Sequence, residues 1–302
     1  MKDRLPLIND NLKNCRFFID DPSVSADIWI IWGGVSTKTS IKIKCHPENF
    51  LFLTDEAHDS KRYHPAFIKQ FAKVFTLRED ILHPELIRTH ELNTWHLGKS
   101  YDDVFNQHLI PKQKMLSVVC SDLTDLPGHK LRFGFVNRLI GHFKDRIDVF
   151  GRGFNPIPDK WPALAPYKYS VAIENCVKPG YFTEKLTECF LSHTMPIYYG
   201  APDILNFFNE KSLCLIDPEN YKSSIDKIEQ LIEEDPYDQI LPVIIEQKLL
   251  YLTKYHIFQA LDKLLPIYFK PGEKKTICLR PEYLFQRGSL ARRVLNRIAK
   301  HL

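Results

Sequence analysis

The chain has 302 residues, 44% of them hydrophobic, 12% aromatic and 26% charged, which is too apolar for an extended disordered protein and long enough for one large core or two medium ones. Its 41 Lys plus Arg against 37 Asp plus Glu leave a net charge of +4, compatible with an anionic ligand but too small to wrap nucleic acid. Seven scattered cysteines, with no CxxC or regular spacing, exclude a zinc or disulfide framework and fit a reducing compartment. The start Met1-Lys2-Asp3-Arg4-Leu5-Pro6 leads into polar Asn9-Asp10-Asn11, and no apolar run is long enough to span a bilayer. The expectation is therefore a cytoplasmic chain without a secretory core or a transmembrane segment.

Short apolar runs between polar helical stretches give the pattern of an α/β protein. Ala26 to Trp32 reads as a strand stopped at Gly33-Gly34, and Phe50 to Leu53 as one stopped at Thr54-Asp55-Glu56. A helix is expected over 65–75 and a short strand over 73–76, then a strand over 115–120. The loop Ser121 to Gly128 is the candidate domain boundary. A helix follows over 130–143, a strand over 146–150 stopped by Gly151, and another over 171–173 before Glu174-Asn175. Thr183 can cap a helix whose apolar face includes Leu186, Phe190 and Leu191. Strands are expected over 195–199 and 212–216, and residues 223–265 are helical in pattern with interruptions around Pro236 and Pro242. In 288–302, Leu290, Val294, Leu295, Ile298 and Leu302 share a face while Arg292, Arg293, Arg297 and Lys300 carry charge. Such a basic amphipathic helix can lie on an anionic membrane surface or dock on its own protein.

The chemistry concentrates between residues 146 and 202. Arg152 follows a strand-ending glycine, where its forked guanidinium can hold diphosphate oxygens, and Lys185 opens a helix where it can add positive charge. The plainer readings are a solvated strand-end arginine and a lysine paired with an acidic neighbour. His129, Lys130 and Arg132 could line a cleft between domains, but a solvated helix face is the stronger reading. No glycine cluster completes a dinucleotide or P-loop fingerprint, and no histidine or carboxylate spacing supports a metal site. The aromatic residues Trp29, Trp32, Phe50, Phe52, Tyr63, Phe67, Phe71, Phe75 and Trp95 are expected mostly in the core, with some available as a saccharide platform.

Four blocks follow one another here: Ile147 to Gly153, Tyr167 to Asn175, Tyr181 to Leu186 and Met195 to Gly200. This ordered set resembles the α-1,3/α-1,4-fucosyltransferases, the family 10 glycosyltransferases, closely over 146–202 and more weakly across 50–270. The resemblance implies a GT-B-like α/β fold, with two Rossmann-like domains facing a central cleft. These are an acceptor-binding domain over 1–125 and a GDP-sugar-binding domain over 126–270, followed by a basic tail over 271–302. It further implies inverting, metal-independent transfer of L-fucose from GDP-fucose, without a cofactor, to a hydroxyl of a GlcNAc- or Glc-containing glycan such as a lipopolysaccharide, in α-1,3 linkage. Another GDP-sugar transferase, or a nonenzymatic GDP-sugar-binding protein, is the alternative. By the same resemblance Arg152, Asn175, Tyr181, Glu184 and Lys185 contact the donor, with Glu184 suited to the ribose hydroxyls. Glu56 is the base that takes the acceptor proton, with Asp55 and His58 as nearby substitutes.

Overall fold

The computed structural model describes residues 1–6, 12–21, 23–37, 39–57 and 59–286. The strands in chain order are β1 (Trp29–Trp32), β2 (Ile41–Cys45), β3 (Phe50–Leu53), β4 (Lys73–Thr76), β5 (Leu86–Arg88), β6 (Lys114–Val119), β7 (Ile147–Phe150), β8 (Tyr167–Ile173), β9 (Met195–Tyr199), β10 (Cys214–Leu215) and β11 (Lys275–Leu279). Among the described residues they form a parallel sheet ordered β1-β3-β4-β5, a second parallel sheet ordered β10-β9-β8-β6-β7, and an antiparallel pair of β11 with β2. The α/β class and its parallel sheets are as the sequence leads one to expect.

Two compact units divide the chain. The first comprises Met1–Phe17 and His90–Lys263, and the second Phe18–Thr89 with the chain from Leu264 onward. This division differs from the expected one over 1–125, 126–270 and 271–302. The loop at 121–128 lies inside the first unit because β6, just before it, pairs with both β7 and β8. The N-terminal segment joins the same unit through the Asp262 carboxylate, which accepts the backbone N–H groups of Lys13, Asn14 and Cys15 at 3.1, 3.0 and 2.8 Å. Part of the expected tail is strand β11, paired with β2 from Lys275↔Cys45 to Leu279↔Ile41. The membrane-contact segment 288–302 lies outside the described residues.

In the second unit all four residues of β3 are buried, which is why it reads as a continuous apolar run rather than an alternating one, and all four of β4 are buried as well, Lys73 and Thr76 included. Phe50, Phe52, Phe67 and Phe71 are core and pack on one another in tilted and edge-to-face pairs, with Tyr63 edge-on to Phe52. They therefore have no open face for a sugar, while Trp29 and Trp32 are only half-buried. The helix expected over 65–75 is a single turn, Pro65–Ile68, capped by His64.

In the first unit β8 begins earlier than its apolar triplet suggests, because Tyr167 and Tyr169 bury their rings and Ser170 satisfies its hydroxyl on Ser117 at 3.0 Å. Strand β10 is only two residues long. A helix spans Tyr221–Glu234 and ends in left-handed Asp235, after which Pro236 precedes the helix Tyr237–Leu250. That helix runs through Pro242 without the expected interruption, the one lost backbone bond being offset by burial of its inner face.

At the end of the helix Glu184–Leu191, buried His193 takes the left-handed conformation, φ 56°. The Lys248 ammonium lies 3.0 Å from His193 Nε2, and Lys112 donates to the carbonyls of Ala165 and Ser192 at 2.8 Å each. Burial pushes Lys248 down to about 8 and Lys112 to about 7, and burial with these two neighbours lowers His193 to about 3. An unfolded lysine titrates near 10.4, so below about pH 10 the unfolded chain holds protons that folded Lys248 resists. The folded state is disfavoured by a constant amount below pH 8, and that penalty disappears as the pH rises to 10. Lys248→Met is expected to raise the stability by about 2–3 kcal/mol at pH 7, with the advantage over wild type shrinking between pH 8 and 10. Urea denaturation at pH 7, 8, 9 and 10 measures it.

Candidate functional site

The chain reverses its direction of travel across the second sheet at β6. From β6 it passes through the helix Pro127–Phe143 to β7 on one side, then returns to β8 on the other. The carboxyl ends of β6 and β8 flank a switch point, where parallel sheets open a crevice for a ligand. Cys120-Ser121-Asp122 and Glu174-Asn175 occupy those ends.

The helix Pro127–Phe143 aims its first turn at the same place. It has Pro127 at its first position and no side-chain cap on Leu126, so its N-terminal N–H groups and the positive end of its dipole are available to an anion. Gly128 permits the close approach: a Cβ there would lie 1.9 Å from the Asn175 carbonyl oxygen. Arg132, one turn on, is buried and donates through Nη1 to Asn175 Oδ1 and through Nη2 to Ser121 Oγ at 3.3 Å, tying the ends of β6 and β8 together. Arg132 Nε and His129 Nδ1 are buried with no hydrogen-bond partner among the described residues. Both side chains stand near enough to Lys185 for repulsion, and burial followed by Arg132 lowers the His129 pKa.

Beside this cluster the helix Glu184–Leu191 begins in a group of charges. Thr183 caps it, and the buried Glu174 carboxylate accepts both the Thr183 N–H and its hydroxyl at 2.7 Å. Lys185 Nζ lies 3.0 Å from Thr183 Oγ1, 3.2 Å from Glu184 Oε1 and 3.5 Å from Glu174 Oε2. Lys160 Nζ lies 3.4 Å from Glu184 Oε1 and 2.7 Å from Glu188 Oε2. Burial raises the pKa of Glu174 and of Glu188. Burial pulls Glu184 the same way, but Lys185 and Lys160 overcome it and hold that carboxyl far below its ordinary value. A cavity of about 20 Å³, enough for one water molecule, lies under this group between Lys160, Ser170, Lys185, Glu188 and Cys189.

The structure brings together Asn175, Glu184 and Lys185, and Tyr181 is buried two residues before the Thr183 cap. Arg152 is not joined to them: its side chain is 65% exposed and pairs with Asp122 at 2.9 Å. Arg132 and His129, expected on a solvated face, are instead buried at the switch point. The pattern that reveals them is the inner stripe of their helix: His129, Arg132, Phe135, Val136, Leu139 and Phe143 are its buried positions, with polar residues continuing an apolar row at helical spacing.

Glu56 belongs to the second unit. It is exposed just beyond β3, in a left-handed conformation, φ 60°, with its carbonyl 3.5 Å from Arg78 Nη1. Asp55 is bound at 2.8 Å by Lys61 and also by the Tyr63 hydroxyl, against Gly33, where a Cβ would come within 2.2 Å of the carboxylate. The Glu56 side chain, by contrast, is exposed to solvent. His58 lies outside the described residues.

With this geometry in place, the relatives can be compared. Residues 109–236 match the model of the C-terminal domain of glycosyltransferase family 10 (fucosyltransferase). The chain is 39% identical over 80 residues to the alpha-(1,3)-fucosyltransferase FucT of Helicobacter pylori, covering 26% of this chain and 16% of the relative. It is 31% identical over 164 residues to GDP-fucose protein O-fucosyltransferase 3 of Danio rerio, covering 48% and 34%. The chain thus spans well under two thirds of either curated relative. A crystal structure of an alpha1,3-fucosyltransferase overlaps 78% of this chain and 81% of its own at 20% identity and a TM-score of 0.48.

Replacing Gly128 by Ala tests the contact between helix and strand end. Alanine ordinarily gains about 1 kcal/mol over glycine inside a helix, but here its methyl group meets a backbone carbonyl that cannot swing aside. Gly128→Ala is expected to lose about 1–3 kcal/mol of stability in urea denaturation.

Proposed function

We propose that this chain is a fucosyltransferase that transfers L-fucose from GDP-fucose to a glycan hydroxyl, with inversion and without a metal ion. The observation that carries the reading is the convergence of Arg132 and an uncapped helix N-terminus on Asn175, with Lys185 beside the preceding Glu174, at the switch point of the segment that matches family 10. Leaving-group departure from a nucleotide sugar places negative charge on the diphosphate. A buried guanidinium, an ammonium and backbone N–H groups fixed around one point stabilise that charge without reorganising. In this reading they supply the charge that a divalent ion supplies elsewhere. Glu184, ionised at any physiological pH, is suited to accept hydrogen bonds from the ribose hydroxyls, and Asn175 is set by Arg132 to orient the sugar.

The acceptor hydroxyl must lose its proton as it attacks, and Glu56, exposed beyond β3, is the proposed base. The reading assigns the acceptor to the second unit and the donor to the first, with α-1,3 linkage as the product of the enzyme. No described helix is long and apolar enough to cross a membrane; contact of 288–302 with an anionic membrane surface is part of the proposal.

Isothermal titration with GDP and product analysis with GDP-fucose, in EDTA and with a panel of β-galactosyl-N-acetylglucosamine acceptors, test this reading. Arg132→Ala should weaken GDP binding at least about tenfold, equivalent to about 1.4 kcal/mol, while Arg152→Ala leaves it within about twofold. Glu56→Gln should retain GDP affinity and lose transfer by about 100-fold or more. No GDP binding by the wild type, or transfer that stops in EDTA, would contradict the proposal.

A further inference from the structure

The donor reading uses Arg132, Asn175, Glu184 and Lys185, and leaves a second lysine of the same charge group without a task. We propose that Lys160 is a positioning residue, a cationic bridge anchored on Glu188 that holds the Glu184 carboxylate in place for the nucleotide and keeps Lys185 available to the phosphates. The inference rests on the donor role of Glu184.

Glu184 and Glu188 are four residues apart and so lie one above the other on the same helix face. Lys160 reaches both, at 3.4 and 2.7 Å. The anchor is rigid at each end. Glu188 is fully buried, and its Oε1 accepts the His96 N–H; the Lys160 N–H in turn donates to the His96 carbonyl at 3.0 Å. Backbone and ammonium of Lys160 are thus fixed to one knot, and the charge that faces Glu184 has little freedom to move.

Charge counting shows what the bridge does. Glu174, Glu184 and Glu188 crowd one helix terminus, with Lys160 and Lys185 as their ion-pair partners. Lys185 is already shared between Glu174 and Glu184. Without Lys160, Glu184 would face two like charges with one cation to balance all three, and its carboxylate would either take up a proton or draw Lys185 onto itself. Either outcome removes a group from the donor site. The charged and titratable groups that face Glu184 are Lys185, Lys160, His96, Glu174, Glu188 and Tyr251. Lys185 and Lys160 are the strongest of those that hold it ionised.

Removing Lys160 alone strands the buried Glu188, so the informative variant is Lys160→Met combined with Glu188→Gln, which deletes the bridge and its anchor together. GDP affinity is measured calorimetrically at pH 7.5 and 5.5 for wild type, Lys160→Met, the double variant and Lys160→Arg, with folding checked by circular dichroism. The expected result is about tenfold weaker GDP binding by the double variant at pH 7.5, a ratio to wild type that widens at pH 5.5 as Glu184 takes up a proton, and rescue to within about threefold by Lys160→Arg. A purely structural lysine would lower the melting temperature yet leave that ratio near one at both pH values. A folded double variant that binds GDP as wild type does at pH 5.5 overturns the inference. Failure of the wild type to bind GDP overturns the donor reading itself.

Discussion

The guanidinium of Arg132 holds the candidate site together. It lies buried between the ends of β6 and β8, bonded to Ser121 on one and Asn175 on the other. A buried cation is tolerated only where fixed polar partners replace its water, and here the partners are the two loops that must be fixed if a ligand is to be held between them. The uncapped helix beginning at Pro127 can then approach Asn175 because Gly128 carries no side chain. Strand order, helix entry and charge placement meet at this one residue.

The second set of charges depends on the first. Helix Glu184–Leu191 starts where β8 ends, and Glu174, immediately after β8, secures that start by accepting from Thr183. The lysines and glutamates around it are mostly buried, where Coulomb interactions are stronger than in water but each unpaired ion is costly. The arrangement therefore favours alternation of sign: Glu174, Lys185, Glu184, Lys160, Glu188. Glu184 gains two cations and stays ionised, whereas Glu174 and Glu188, more deeply buried, are driven toward the neutral form. Adjacent carboxyl groups driven in opposite directions make this helix start a candidate binding centre, although structural ion-pair networks shift carboxyl groups as well.

The far end of the same helix shows a complementary economy. Lys112 donates to the carbonyls that end the turn Trp161–Leu164 and the helix Glu184–Leu191, the two elements whose beginnings carry Lys160 and Glu184. One lysine thus ties together the ends of both elements that enter the site, while buried Lys248, lowered to about 8, makes the stability of that end rise in alkaline solution. Rigidity at the base of the unit is what allows loops at its opposite edge to be positioned accurately.

Local pattern determined a good part of this. The apolar runs of β3, β6 and β9, the Thr183 cap and the order of short blocks from 147 to 200 are all properties of neighbouring residues, and the match of 109–236 to the family 10 domain follows the same blocks. Strands β2, β5 and β11 were not legible because they are short, edge-placed or alternating with lysine, so burial does not write a continuous apolar run into them. The unit division was hidden for a different reason. Asp262 gathering the N–H groups of residues 13–15, and β11 pairing with β2, are contacts across more than 200 residues. Arg152 follows a glycine at a strand end, the local pattern of a phosphate ligand, and strand order puts β7 at the sheet edge, where its arginine is largely exposed and pairs with Asp122. The sequence supplied the charged residues; tertiary structure decided which of them are buried together, because whether a guanidinium meets water or fixed protein partners depends on which strand ends the chain brings side by side.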